Sequence, residues 1–493
     1  MISDIRHFFQ AHRKEGIALL CLFVFSRIAI ALAGVHFDAD VIVHGQWQLI
    51  SAELLDRKLL ESLWYLHSQP PFYNLYAGII VKVFPSHYGI VFHGIHVCIG
   101  ITSTLLLYFI LFKIKIRNSI ALVISILFTI SPATLLYETW LSYTYFIVFI
   151  LLGSTLFLLY FIETKKWKYG FTFFSLLSIL VLTRSMYHLV WIVAILSMLA
   201  LFKFVSFKTL FRSSVIPFTL ALAWYVKNYI LFGIFASSSW FGMSLSEIIL
   251  AKLPYEKKKQ LIEGGLTSAL VKKEAFWSID HYQAFLSEEN PYPNIQVLTD
   301  TVNGKHANLH HFGYIELSQK FQKDALIAVK EYPFDYLKNV VIAFGYYFHP
   351  TSNHYDLRSN RQSLFTYNKY FNHLILGCVI NPDELELDPP FQPKYLLTTS
   401  FFVVIAYALC GLILLLHFIS QWKQGHWNNG PLQATLLFSL LTLSYVMIIG
   451  NFFEQGENMR FRYETIIPSL ILLAFCVQQI VDSWSVRKQR INQ

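Results

Sequence analysis

Residues 140–168 read WLSYTYFIVFILLGSTLFLLYFIETKKWK. From Leu141 to Ile162 no side chain is charged, and Lys165, Lys166 and Lys168 follow directly. At about 1.5 Å of rise per residue, such a run crosses the roughly 30 Å hydrocarbon core of a bilayer as one α-helix. A positive cluster at its end marks the side on which the chain emerges.

The pattern recurs along the chain. The 493 residues are 55% hydrophobic and 14% charged, with a mean hydropathy of +0.47. A soluble domain of this length needs more charge at its surface. The fold expected is an all-α polytopic membrane protein of about ten helices, near residues 16–35, 88–112, 118–136, 140–162, 169–185, 187–205, 213–234, 395–419, 432–450 and 463–482. The first run, Gly16–Gly34, has no small-residue cleavage site and reads as a signal anchor. Phe72–Phe84 is apolar but too short to span and reads as interfacial or re-entrant. This divides the chain into a transmembrane module at 1–234 with a first outer loop at 36–87, an outer loop subdomain of small helices at 235–394 between spans seven and eight, and C-terminal spans at 395–493.

Basic residues set the orientation. Arg6, Arg13 and Lys14; Lys113, Lys115 and Arg117; Lys165, Lys166 and Lys168; Lys203, Lys208 and Arg212; Lys423; and Arg487, Lys488 and Arg490 fall on alternate connections. The positive-inside rule makes that side, with both termini, cytoplasmic. The net charge of +9 then belongs to these connections and does not point to nucleic acid. The five cysteines form no disulfide or zinc spacing. His310-His311 has no carboxylate-rich companion motif, so no metal site is expected.

Chemistry gathers on the opposite side. VHFDADVIVHG places Asp38 and Asp40 just after span one, and WYLHSQPPFYNLY brings His67 and Pro70-Pro71. YETW holds Tyr137 and Glu138, TRSMYH holds Arg184 and His188, and AWYVKNYILFG holds Lys227 and Asn228. RFRYETIIP opens the last span with Arg460 and Arg462, basic residues on the side that basic residues avoid. Such residues call for an anionic ligand, or they pair with Glu454, Glu457 or Glu464. Carboxylates at a membrane face can take a proton from an alcohol or amine. Arg, Lys and His can clamp a phosphate. Together they suggest transfer of a group carried on a lipid phosphate.

In order and topology these elements resemble the GT-C superfamily of polyprenyl-phosphate-sugar-dependent glycosyltransferases, in the branch of protein O-mannosyltransferases and lipid A aminoarabinose transferases. The resemblance covers nearly the whole chain. It rests on FDAD after the first span, HSQPPFY in the first loop, YETW after the third span, WYVKNYILFGIFASSSWFG closing a middle span, AVKEYPFDYLKN in the large loop and RFRYETIIP at the last span. The chain departs from that pattern in three places. Asp38 and Asp40 straddle Ala39, Ser68-Gln69 interrupts the His-Pro-Pro element, and Lys227 stands where the family has arginine.

The resemblance implies an inverting, metal-independent transferase without cofactor. Asp40, helped by Asp38, would be the general base, and Glu138 a second carboxylate toward the acceptor. Arg460, Arg462, Lys227 and Arg184 would hold the donor phosphate. His67, Tyr137, His188 and Asn228 would position substrate. The partners implied are a polyprenyl-phosphate-sugar donor, membrane lipids and a glycolipid, glycan or protein acceptor, with the site on the periplasmic face of a bacterial inner membrane. A surface-polysaccharide polymerase or ligase, or a flippase, shares the arginines. A flippase would show internal repeats and midplane charges, and neither is visible.

In the large loop, 314–330 reads as an amphipathic helix, Pro333 breaks it, and a second helix runs to Phe348. NPDELELDPP at 381–390 reads as an acidic linker.

Overall fold

The computed structural model describes residues 1–44, 47–287, 289–384, 393–423 and 429–491. From residue 385 on, the 381–390 linker lies outside the described residues, as do the side chains of Arg487, Lys488 and Arg490. The chain is an all-α polytopic membrane protein. Among the described residues seven helices are long and apolar enough to cross a membrane: Arg13–Leu32, Tyr88–Lys113, Tyr143–Thr164, Phe207–Phe232, Phe401–Lys423, Pro431–Phe453 and Ile466–Ser485. An eighth crossing is broken. Asn118–Ile130 and Pro132–Glu138 meet at 52°, because Pro132 cannot continue a helix and Ser131 caps the new one through Thr134 N–H. Trp167–Val181 and Leu189–Leu201, where two further spans are expected, have 15 and 13 residues. Each is shorter than the ~20 a bilayer requires. Phe72–Val83 is a 12-residue helix started by Pro71.

The helix quoted first is the hub. Tyr143–Thr164 has 78% of its apolar window buried, against 11% for Phe401–Lys423 at the periphery. It packs on Tyr88–Lys113, Trp167–Val181 and Pro431–Phe453. One end of the bundle collects the basic connections. Lys113 pairs with Glu163 at 2.8 Å and lies 3.9 Å from Asp4, Arg117 pairs with Asp482, and Lys165 donates to Phe204 O at 2.6 Å. Lys115, Lys165 and Lys203 take left-handed φ values of 67°, 57° and 51° just past helix C-termini, where cations complement the helix dipole.

At the other end the loops converge. Asp38 bridges to Trp140 through backbone: Asp38 N–H donates to Thr139 O at 2.8 Å, and Leu141 N–H to Asp38 O at 3.2 Å. Asn360 clasps His36, donating to its carbonyl at 2.7 Å and accepting from its N–H at 3.2 Å. The two loop helices fall at Gly313–Glu331 and Pro333–Tyr347. With Phe241–Ile249 they enclose a separate apolar core that includes Met243, Ile248, Tyr314, Leu317, Phe321 and Val340. Gly242 permits the tight crossing of Phe241–Ile249 on Gly313–Glu331, since a Cβ there would lie 1.8 Å from Ser318 O.

Candidate active site

Between the loop subdomain and the helix ends lies a cavity of about 1190 Å³. Five of the sequence-predicted residues line it: Asp38, Asp40, Arg184, His188 and Arg460. They come from three regions distant in sequence, joined by the Asp38–Trp140 bridge and by Tyr143 at the top of the hub helix. The Tyr143 hydroxyl oxygen accepts from Arg460 Nη2 at 3.2 Å and from Arg184 Nη1. Both guanidiniums also lie over its ring, 5.5 and 4.9 Å from the centroid.

Each arginine has an acidic partner. Arg460 Nη2 pairs with Glu457 Oε2 at 2.6 Å, and Arg184 Nε lies 3.1 Å from Glu464 Oε2, outside hydrogen-bond geometry. Arg184 is 5% exposed and Arg460 2%. Arg460 Nε–H has no hydrogen-bond acceptor among the described residues, while Arg184 Nε keeps its ion pair to Glu464. Burying a cationic donor without an acceptor is costly, and both arginines belong to the lining of the cavity.

The carboxylates around them divide by environment. Burial pushes Glu454 up to about 7, with Glu457 adding repulsion. Burial also penalises the charge on Glu457, but Arg460 and His354 outweigh it and hold Glu457 well below the usual carboxylate range. Tyr355 donates to Glu457 Oε1 at 2.6 Å. Burial, reinforced by Glu457, raises Asp356, another lining residue. Asp38 Oδ1 accepts from Asp40 N–H at 3.0 Å, closing an Asx turn at the start of the short Asp40–His44 helix. Asp40 itself is exposed on the cavity wall.

The other predicted residues stand away from this cavity. Glu138 is buried in the bundle, where Arg27 Nε donates to its Oε1 at 3.0 Å and Arg27 Nη2 to its Oε2 at 2.6 Å. Tyr145 adds a third bond at 2.8 Å. Gly100 leaves room for this knot, since a Cβ there would lie 2.4 Å from Glu138 Oε2. Arg462 donates to His349 O at 2.8 Å. Lys227 donates to Trp64 O at 3.1 Å and Leu66 O at 2.7 Å, beside the Trp224 ring. Asn228 donates to Ala236 O at 2.7 Å, and Tyr137 stacks on Tyr463 at 4.1 Å.

His67 joins the first loop to the large one, its Nδ1 2.8 Å from Ser239 Oγ and its Nε2 2.9 Å from His310 O. His310 is fixed in turn by Leu49 O and Ser68. Burial lowers His67 to about 3 and His310 to about 4, which keeps both imidazoles neutral.

Tyr143, Glu464, Asp356 and Arg27 were not among the predicted site residues. A lone arginine inside an apolar run is a signal for Arg27. Glu464 stands in RFRYETIIP among the acids offered as partners of Arg460 and Arg462, and nothing local marks Tyr143 or Asp356. No family model, curated protein or solved structure matches the chain.

Proposed function

We propose that the chain is an integral membrane glycosyltransferase that moves a sugar from a polyprenyl-phosphate donor to an acceptor. The observation that carries this reading is the convergence of two buried arginines, Arg184 and Arg460, on the Tyr143 hydroxyl in a cavity wall that also bears Asp38 and Asp40. The resemblance to the GT-C superfamily agrees with it. The donor phosphate sits at Arg184 and Arg460, with Tyr143 between them. The acceptor O–H or N–H gives its proton to Asp40. A bond forms from the acceptor to the anomeric carbon as the carbon–oxygen bond to phosphate breaks. That electron pair leaves on the phosphate oxygen, and attack from the opposite face inverts the anomeric centre. Charge grows on the leaving phosphate, so fixed guanidiniums lower the barrier. The phosphate is already a good leaving group, and no general acid is required.

In this reading the bundle has ten crossings, with Trp167–Val181 and Leu189–Leu201 as thinned spans and the broken helix as another. The basic end faces the cytoplasm with both termini, and the cavity faces the periplasm of a bacterial inner membrane. The test is reconstitution in liposomes with radiolabelled polyprenyl-phosphate sugars and a membrane extract as acceptor source. Label appearing in an acceptor, with polyprenyl phosphate released in equal amount, supports transfer. Donor left intact across hexose and pentose donors rejects it.

A further inference from the structure

The donor end uses only part of the cavity. The facing wall belongs to the loop subdomain and has a different chemistry. Its centre is the stretch Glu274–Trp277. Phe276 there has φ 63°, a left-handed conformation that a bulky residue rarely adopts. Its neighbours are pinned on both sides. Ala275 N–H donates to Glu247 Oε1 at 3.3 Å, Trp277 N–H to Tyr282 Oη at 3.2 Å, and Tyr314 Oη to Trp277 O. The strained turn places the Phe276 ring parallel to Trp47, at 5.5 Å and 13°, and edge-on to Trp240 at 5.4 Å and 78°. Trp47 and Trp277 are left 44% and 47% exposed, and both line the cavity. Glu247 and Glu274 adjoin this shelf, and Gln322 lines the same cavity.

We propose that this wall is a saccharide-binding subsite, the place where a carbohydrate acceptor docks. A pyranose ring has an apolar C–H face that packs on an aromatic ring. Its rim of hydroxyls needs both acceptors and donors. Carboxylates supply the first, and a glutamine amide supplies both. An acyl chain would leave these polar groups unpaired. A peptide docking as an added strand needs an open sheet edge. The described strands are only Val302–Asn303 and His306–Ala307, two residues each. The role as acceptor site rests on the transfer reading above; the binding of saccharide does not.

The test is tryptophan fluorescence of the purified full chain in nanodiscs. It is titrated with tetrasaccharides of glucose, mannose and N-acetylglucosamine, free and coupled to diacylglycerol, and with a hydrophilic decapeptide. The expected result is saturable quenching by at least one saccharide. Its affinity should fall tenfold or more in both Trp277→Ala and Gln322→Ala and stay unchanged in Trp484→Ala, which removes an exposed tryptophan outside the cavity. Tenfold tighter binding of the lipid-coupled form marks a glycolipid as the source. Equal binding marks a free or protein-borne glycan. No quenching by any saccharide, quenching unaltered in the two variants, or saturation by the decapeptide alone overturns the subsite. Both variants alter side chains that are not fully buried, and an unchanged melting temperature shows that they fold. Saccharide binding without sugar transfer from any donor would reject the donor chemistry and leave the subsite standing.

Discussion

Arg27 binds both carboxylate oxygens of Glu138, 111 residues away in sequence, from inside the first span. Arg27 also donates to Thr129 O at 2.8 Å, so it ties the first span to both halves of the broken helix. Removing one member of a buried pair strands the other and costs about 3–5 kcal/mol. Arg27→Met is expected to lower the melting temperature in detergent sharply, with Arg27→Met/Glu138→Gln recovering part of the loss. If Glu138→Gln instead melts like the wild type but loses sugar transfer, Glu138 belongs to the chemistry.

Asp38 and Asp40 have separable roles. Asp38 accepts from the Asp40 N–H in an Asx turn, and an asparagine side-chain oxygen accepts the same bond. Asp38→Asn is therefore expected to keep the fold and at least a tenth of transfer. Asp40→Asn should lose a hundredfold or more, within the usual contribution of a general base. Initial rates at saturating donor decide between them. The opposite ranking would make Asp38 the base.

Lys227 acts as a brace. Its ammonium holds two carbonyls of the first loop, and each hydrogen bond to a charge is worth about 1.5–3 kcal/mol. Lys227→Met should speed hydrogen exchange at residues 64–69 severalfold and leave binding of polyprenyl phosphate within twofold. A large loss of phosphate binding with unchanged exchange would return Lys227 to the donor clamp.

Glu454 makes stability depend on pH. Burial, with Glu457 beside it, raises its native pKa to about 7. The native chain thus keeps a proton that the unfolded chain gives up. This contribution is whole below the ordinary carboxylate range and is lost as pH rises through about 7. Glu457 has the opposite sign, and its contribution is lost only in acid, below the ordinary range. The wild type should therefore lose melting temperature relative to Glu454→Gln between pH 5 and pH 8; His67 and His310, held neutral by burial, act with the opposite sign in both chains and cancel from that difference. An identical slope in the variant would show that Glu454 is ionised throughout.

The sequence made the bundle legible because a bilayer imposes length and hydropathy on each crossing. Tyr143–Thr164 and Phe401–Lys423 follow from uncharged runs, and Lys113, Arg117 and Lys165 fall at the helix ends where basic clusters marked the connections. The gathering of Asp38, Arg184, His188 and Arg460 followed from listing what each loop mouth carries. Partner choice was legible only for Arg460, whose pairing with nearby Glu457 was one of the alternatives the sequence offered. Arg460 and Arg462 are two residues apart, yet a short helix turns one toward Glu457 and the cavity and the other toward His349 O. Glu138 and Lys227 sit in promising motifs, but their partners, Arg27 and the Trp64 and Leu66 carbonyls, come from distant segments that no local spacing announces. The Phe276 turn left no signal at all, because a positive φ at a bulky residue is imposed by its surroundings.

The central claim is that Arg184 and Arg460 hold a lipid phosphate while Asp40 takes the acceptor proton. The most direct measurement is sugar transfer in proteoliposomes alongside equilibrium binding of unsugared polyprenyl phosphate, for the wild type, Asp40→Asn and Arg460→Gln. The account predicts that Asp40→Asn binds the phosphate normally and transfers nothing detectable, while Arg460→Gln loses tenfold or more in binding and transfer together. Normal phosphate binding in Arg460→Gln, or full transfer in Asp40→Asn, would contradict it.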